Sequence, residues 1–230
     1  MTLLDTWAAY RPNSAPYVLP DDRRFLRSER APIRSWRQAC RAPDFEAPDD
    51  SRLHLGLLPQ PFIGDLRRAS IYVLLLNPGL GATDYFGEYE VPAFRQALVA
   101  NLRQAREREP RPFLFLDPRF AWHGGFAWWH RKLAKVIEHL AQVWHVPFAE
   151  ARSRLAGTMA SIEMFPYHSA SFRDAGAWLR SLPSVRLAQA YVATYVLRRV
   201  RSGKAIVIVT RKARHWKVAR QPGVVICRHL

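Results

Sequence analysis

Cysteine is nearly absent from this sequence of 230 residues, which contains only Cys40 and Cys227. Two thiols cannot build an all-cysteine zinc site or a four-thiolate iron–sulfur cluster. The eight histidines are scattered and lack carboxylates at ligand spacing, so we expect neither a metal nor a cofactor. Two cysteines are also too few for a secreted disulfide scaffold, which favours a cytoplasmic location.

Long apolar runs are absent as well. No segment reaches the roughly 18 apolar residues of a transmembrane helix, so no membrane partner is expected. The first residues, Met1–Asp5, lack the basic region that opens a secretory signal. The Gly-rich phosphate-binding loop that ends in Gly-Lys-Ser/Thr is missing too, which makes an enzyme acting on small anionic nucleotides the weakest functional hypothesis.

Negative charge is scarce in the last third of the chain. The whole sequence has 35 Lys and Arg against 19 Asp and Glu, a formal net charge of +16. Residues 1–150 hold 20 basic and 17 acidic side chains, whereas residues 151–230 hold 15 basic and only two acidic ones, Glu163 and Asp174. Such an imbalance predicts a cationic surface with a polyanionic partner. The sequence does not indicate an oligomeric state.

Prolines divide the chain into two regions. Eight of the 17 prolines lie in the first 61 residues. Because proline lacks the backbone donor and resists helix interiors and central strands, we expect residues 1–65 to form a largely irregular arm, with a short helix near 34–41. This arm would pack on a single domain formed by residues 66–230.

The pattern of the domain predicts strands that alternate with helices. Short apolar runs predict four strands, at residues 71–76, 161–165, 205–209 and 223–227. Apolar residues at helical spacing predict helices over about 92–108, 128–143, 147–156 and 185–202, with an elaborate loop over 113–130. Strands connected through helices form mostly parallel sheets covered on both faces. We therefore predict the α/β class, as a three-layer α/β/α sandwich with a mostly parallel sheet of about four strands.

Polar and cationic side chains follow the predicted strands. In parallel sheets, ligands bind outside the carboxyl ends of the strands, so these side chains predict a functional edge. The groups at this edge are Asn77-Pro78-Gly79, Tyr167-His168-Ser169, the basic set Arg211, Lys212, Arg214 and His215, and finally His229. The basic set is predicted to bind nucleic-acid phosphates, with a solvated charge run as the alternative.

An apolar strand that ends in Asn77-Pro78-Gly79 resembles the first motif of the uracil-DNA glycosylase superfamily, and in particular its mismatch-specific branch. The order of the later strands, with a polar end on the second and a histidine after the fourth, is similar over roughly residues 70–230. Leu75 departs from the mismatch-specific pattern, which has glycine at that position. The alternative interpretation of Asn-Pro-Gly is an ordinary turn without catalysis.

The resemblance implies a monofunctional DNA glycosylase without a cofactor. Such an enzyme flips a damaged, mismatched or modified base out of the stack and hydrolyses its N-glycosidic bond. The resemblance assigns catalysis to Asn77, which would position the water, and to His168 and His229. It assigns the base pocket to Pro78, Gly79, Tyr167 and Ser169. Tyr85 and Phe86 are candidates to stack on the base, with packing in the core as the alternative for both.

Two departures leave alternatives open. No asparagine follows the second strand, where uracil-specific members read the base, so a base other than uracil is expected. The chain stops at Leu230 soon after the fourth strand. Either a wedge side chain comes from elsewhere, such as residues 113–126, or the substrate is already single-stranded, or activity is lost. A non-catalytic nucleic-acid-binding protein on the same fold is the alternative function. DNA repair and defence against modified DNA both suit the leading hypothesis.

Overall fold

A computed structural model describes residues 1–26, 32–42, 45, 51–105, 112–172, 182–211 and 213–227. These residues form a mixed α/β structure built on one five-stranded sheet. Its strands are β1 (Phe62–Ile63), β2 (Ile71–Leu75), β3 (Met159–Glu163), β4 (Ile206–Val209) and β5 (Val224–Ile226). Their order across the sheet is β1-β3-β2-β4-β5.

The sheet is mostly parallel, as the sequence predicted. β2 pairs in parallel with β3 on one side and with β4 on the other, and β5 pairs in parallel with β4. The exception is β1, which pairs antiparallel with β3. β1 was not predicted because two residues are too few for a strand pattern, so the expected count of about four strands is one short.

The described helices connect these strands. They are α1 (Leu3–Ala9), α2 (Trp36–Arg41), α3 (Ala82–Glu90), α4 (Pro92–Leu102), α5 (Gly124–Trp144), α6 (Phe148–Thr158), α7 (Pro183–Tyr191), α8 (Leu197–Arg201) and α9 (Ala213–Trp216). A π-helical turn, Val192–Val196, joins α7 to α8. The predicted helix over 92–108 ends early, because Gln104 adopts a left-handed φ of 51° that a helix cannot continue through. The predicted loop over 113–130 is shorter than expected because α5 already begins at Gly124.

Apolar side chains lie on both faces of β2. Tyr72 and Leu74 belong to a cluster that includes residues of α1 and α7, whereas Val73 belongs to a second cluster with residues of α5 and α6. Successive side chains of a strand point to opposite faces, so the two clusters lie on opposite sides of the sheet. Two-sided burial explains why the sequence of β2 is a continuous apolar run rather than an alternating one.

The N-terminal arm contributes to the first of these clusters, through residues such as Leu3 and Trp7. The buried carboxyl of Asp22 bonds the N-terminal segment to the rest of the structure. Tyr167 Oη donates to Asp22 Oδ2 (2.6 Å), and the Ser184 N–H donates to Asp22 Oδ1 (3.1 Å). Burial raises the pKa of Asp22, although these hydrogen bonds partly oppose that rise. Segments more than 140 residues apart in sequence are therefore joined through one side chain.

Candidate functional site

A cavity of about 640 Å³ lies at the carboxyl ends of β2, β3 and β4. Its walls come from the segment after β2, the segment after β3, and Thr210 and Arg211 after β4. The N-termini of α3 and α5 close another side. The structure thus brings three of the predicted strand ends to one cavity, whose volume lies within the roughly 300–1,000 Å³ of small-molecule sites.

Asn77 stands at the end of β2 with a fixed orientation. Its Nδ2 donates to the Pro78 carbonyl oxygen (2.8 Å) and to Ser169 Oγ (3.1 Å). Both amide hydrogens are therefore used within the protein, which leaves Oδ1 as an acceptor for a ligand or a water. Pro78, Gly79 and Ser169 also line the cavity, and a Cβ on Gly79 would meet nothing within 4 Å. The backbone of this turn is open to close approach.

His168 connects the segment after β3 to the segment after β2. Its Nδ1 lies 2.8 Å from the Gly79 carbonyl oxygen, and its side chain lines the cavity although only 1% of it is exposed. A carbonyl only accepts, so Nδ1 carries the proton. Burial lowers the pKa of His168, against the opposing charge of Asp84, and the ring is neutral at pH 7. The geometry makes His168 a residue that positions the Asn77 turn.

Asp84 places a carboxylate on the cavity wall. Its Oδ2 accepts from the Gly81 N–H (2.7 Å), and its Oδ1 lies 3.4 Å from His123 Nε2. Burial alone would raise the pKa of Asp84, but the contact with His123 and the influence of His168 and Gly81 outweigh it and lower the pKa. Asp84 is therefore ionised at pH 7, and it is a site residue that sequence reasoning missed.

His123 orients the first turn of α5. Its Nδ1 accepts from the Gly125 N–H (2.9 Å), and the preceding Gly124 N–H donates to Thr83 Oγ1 (2.8 Å). Because Nδ1 accepts, the ring proton must lie on Nε2, which faces Asp84. The N-termini of α3 and α5 are thus tied together beside the cavity.

Glu163 and Gln60 are two further cavity residues that the sequence analysis did not select. Glu163 is only 7% exposed at the end of β3, and Gln60 is 4% exposed just before β1. Glu163 Oε2 and Gln60 Nε2 have no hydrogen-bond partner within the described ranges. Burial raises the pKa of Glu163 well above its ordinary value. The sequence did contain one signal for Glu163, because it is the single carboxylate within a mostly apolar predicted strand.

Three aromatic residues expected in the base pocket lie elsewhere, so these expectations need correction. Tyr85 is fully buried in a separate cluster, where its hydroxyl lies 3.2 Å from His54 Nδ1, and Phe86 is on the surface against Trp36 and Trp122. Tyr167 is buried with its hydroxyl bound to Asp22. The reason is the course of α3 and of the segment after β3, which the sequence did not specify. The aromatic rings that line the cavity are Phe115, Trp128, Trp129 and Phe172.

The predicted basic set is only partly placed at the cavity. Arg211 is exposed and lines it, and Lys132 of α5, which was not predicted, also does. Arg214 is exposed on α9, and the half-buried His215 accepts a hydrogen bond from Gln189 through its carbonyl. Neither Arg214 nor His215 lines the cavity. The remaining predicted residues, Lys212 and His229, fall outside the described ranges.

No family model matches the chain, and neither does any curated protein or solved structure. Among the described residues, no three His, Cys, Asp or Glu side chains are grouped so that they could hold a metal ion. The helices of the same residues include none that is long and apolar enough to cross a membrane.

Proposed function

We propose that this chain is a DNA glycosylase-like hydrolase that cleaves the N-glycosidic bond of a flipped damaged, mismatched or modified base. The observation that carries the proposal is the side chain of Asn77, which Ser169 holds in one orientation on the wall of a cavity of suitable size. The resemblance of Asn77-Pro78-Gly79 to a glycosylase motif supports it. A three-layer α/β/α sandwich and a cytoplasmic location belong to the same proposal.

Asn77 would act on the attacking water. With both Nδ2 hydrogens engaged, Oδ1 accepts a hydrogen bond from a water and directs its oxygen toward C1′ of the sugar. Asparagine cannot take the proton, so it orients the water rather than deprotonating it. This role predicts a slower reaction than an aspartate at the same position would give.

The charges on the cavity wall suit the changes in charge during the reaction. The sugar becomes positively charged in the transition state, and the ionised carboxylate of Asp84 stabilises positive charge. Arg211 at the cavity is a donor for the flanking phosphate, and the Trp128 ring is a surface on which the base can stack. Pro78 and Gly79 provide the turn that lets the backbone approach the nucleotide.

A base-release assay tests the proposal. Labelled single- and double-stranded oligonucleotides would carry uracil, mismatched thymine, hypoxanthine, or oxidised or hydroxymethylated pyrimidines, and alkaline cleavage would reveal abasic sites. We expect Asn77→Ala to lower base release by about 100-fold, as expected for loss of a group that positions a reactant. DNA binding should change less than twofold.

Asn13→Ala, which removes an exposed asparagine that does not line the cavity, is the matched control and should release base at the wild-type rate. Equal release by the Asn77→Ala protein would remove Asn77 from the mechanism. If the wild-type protein binds DNA but releases no base, the alternative function applies, a non-catalytic nucleic-acid-binding protein. That alternative is favoured by the lack of any proton acceptor among the groups that bond Asn77.

A further inference from the structure

Four residues on the cavity wall have a buried polar atom without a hydrogen-bond partner within the described ranges: Gln60 (Nε2), Glu163 (Oε2), His123 (Nε2) and His168 (Nε2). His123 Nε2 still faces Asp84 Oδ1 at 3.4 Å, and the His168 ring is bonded through its other nitrogen. The Oε2 oxygen of Glu163 and the Nε2 nitrogen of Gln60 are the two that remain. Leaving a buried donor or acceptor unpaired destabilises the fold, so most buried polar groups in proteins are paired. Two such groups on one cavity indicate that a ligand supplies the partners.

Other buried carboxyls of the described chain differ from Glu163 in this respect. Asp22 accepts from Tyr167 and from the Ser184 N–H. Glu88 accepts from the Leu58 N–H (2.9 Å). Neither of these carboxyls lines the cavity, whereas Glu163 does. Asp84 does line the cavity, but its oxygens contact the Gly81 N–H and His123. Among the carboxyls of the described residues, Glu163 is therefore the one with a buried oxygen that has no partner.

The backbone holds Glu163 rigidly. Its N–H donates to the Pro61 carbonyl, and it pairs in register with Leu75 of β2. The Met164 N–H donates to the Leu75 carbonyl, so the ladder continues past the strand end. Gln60, next to Pro61, is fixed in turn by its N–H bond to the Pro166 carbonyl. A residue on a strand, such as Glu163, keeps its geometry better than a loop residue would, and Gln60 is tied by its backbone to the segment after the same strand.

The charged and titratable groups that share the cavity do not neutralise Glu163. They are Asp84 of α3, His123 at the start of α5, Lys132 of α5, His168 after β3 and Arg211 after β4. None of them forms a hydrogen bond or an ion pair with Glu163 in the described part of the chain. Without a positive partner, burial favours the neutral carboxylic acid, which donates one hydrogen bond.

We propose that Glu163, carrying its proton, and Gln60 form a pair of hydrogen-bond donors that binds carbonyl oxygens of the base in the cavity. The inference deepens the proposed function and rests on it in one respect, that the ligand is a nucleobase. It selects a base with a carbonyl at C4 of a pyrimidine or C6 of a purine over the base with an amino group at that position. An amino group at the same position would place its own N–H hydrogens against the two donors, so no hydrogen bond could form there.

The same pair would assist departure of the base. As the water oxygen bonds to C1′, the C1′–N bond breaks and its electron pair leaves on the base, where it spreads onto the carbonyl oxygen. The water gives its proton to solvent, and the base later takes one up from solvent. Two donors on the carbonyl oxygen stabilise this developing negative charge, whereas an ionised Glu163 would repel it.

Binding and release should therefore fall as Glu163 ionises. Above the pKa of Glu163, affinity for a carbonyl base should fall by about tenfold for each pH unit. Glutamine has nearly the shape of the protonated acid and keeps an N–H donor, but it does not titrate. Glu163→Gln should therefore bind with no such decline.

Calorimetric titration with free bases tests the inference without requiring catalysis. The probes are two matched pairs, hypoxanthine with adenine and uracil with cytosine, added to the full chain between pH 5 and pH 8. At pH 5, we expect the wild-type protein to bind hypoxanthine at least tenfold more tightly than adenine, and uracil at least tenfold more tightly than cytosine. Glu163→Ala should abolish that preference, and Glu163→Gln should keep it at every pH. The wild-type protein and Glu163→Gln are titrated with the same bases. Any change in affinity that comes from ionisation of the base itself therefore appears in both proteins and can be subtracted.

Glu138→Gln, on an exposed position of α5, is the control and should match the wild-type protein throughout. The inference is wrong if the wild-type protein shows no preference within either pair at pH 5, or if Glu163→Gln and Glu163→Ala bind alike. Failure of the proposed function would give a different result. The calorimetric titration would still show Glu163-dependent binding of hypoxanthine or uracil, but the base-release assay would show no loss of base from any oligonucleotide. Base release with an identical pH profile in the wild-type and Glu163→Gln proteins would retain the function and overturn only the inference.

Discussion

Glu163 combines two properties at the residue scale: it is buried, and no charge or hydrogen bond in the described structure compensates its ionised form. Its raised pKa means that the folded protein holds a proton which the unfolded chain releases near the ordinary value. As the pH rises through this interval, the folded state binds more protons than the unfolded state. The free energy of unfolding therefore decreases as the pH rises.

Glu163→Gln should reveal this contribution. At pH 4 the carboxyl is neutral in both states, so we expect the variant and the wild-type protein to be about equally stable. Between the ordinary pKa and the raised one, the variant should gain about 1.4 kcal/mol over the wild-type protein for each pH unit, and the gap should then stay constant. Urea denaturation from pH 4 to pH 8 measures it, with Glu138→Gln as the exposed control. A gap that does not vary with pH would contradict the raised pKa.

At the scale of the element, α5 depends on a residue that lies just outside it. His123 accepts from the Gly125 N–H at the start of this 21-residue helix, and its ring stacks on Phe94 with the ring centres 4.4 Å apart. Its other nitrogen faces Asp84 of α3. The first turn of α5 therefore keeps its place beside the cavity through one buried imidazole.

His123→Ala should lower the free energy of unfolding by about 2 kcal/mol, from loss of the helix cap and of buried ring contacts. His123→Asn supplies a new capping oxygen and should recover about 1 kcal/mol of this. His139→Ala, on an exposed turn of the same helix, should change stability by less than about 0.5 kcal/mol. Urea denaturation distinguishes these outcomes. Equal stability of the asparagine and alanine variants would show that capping is not the contribution of His123.

Elements with strong apolar patterns could be predicted, and shorter or mixed ones could not. β2 is recognisable because burial on both faces makes its sequence uniformly apolar. β4 is recognisable because its sequence is also an apolar β-branched run, although Ile206 is exposed. α3 was missed because Gly81 caps it without a side chain and Gly87 interrupts its helical pattern. Without α3 the direction of Tyr85 was unknown, so its burial against His54 could not be derived.

The candidate site was predictable at the level of strand ends and not at the level of contacts. Asn77, His168 and Arg211 line one cavity because parallel strands bring their carboxyl ends to the same edge. The Ser169 bond to Asn77 joins residues 92 positions apart, and no local pattern specifies such a contact. The roles of Glu163 and Asp84 depend on burial and partners, which the sequence does not display.

The whole molecule carries a large positive charge, which should dominate the proposed interaction with DNA. Each phosphate neutralised on duplex DNA changes affinity by about 0.9 log unit for each log unit of salt. We expect Arg211→Ala, at the cavity, to reduce this slope by about 1. Arg103→Ala, after α4 and away from the cavity, should leave the slope unchanged. Fluorescence anisotropy of a labelled duplex at several salt concentrations measures the slope, and a wild-type affinity independent of salt would contradict the electrostatic interpretation.

The position of β2 at the centre of the sheet has a consequence for how the molecule acquires its site. Thr210, just after β4, donates to the Leu74 carbonyl of β2, a contact that spans 136 residues. Pairings that distant close large loops and slow folding. During synthesis on the ribosome, β2 emerges before β3 and β4. The cavity walls that follow β3 and β4 can therefore form only after those strands have been synthesised. A nascent chain that has not yet reached Arg211 holds the Asn77 turn without the wall that follows β4, so the cavity should form only after Arg211 has been synthesised.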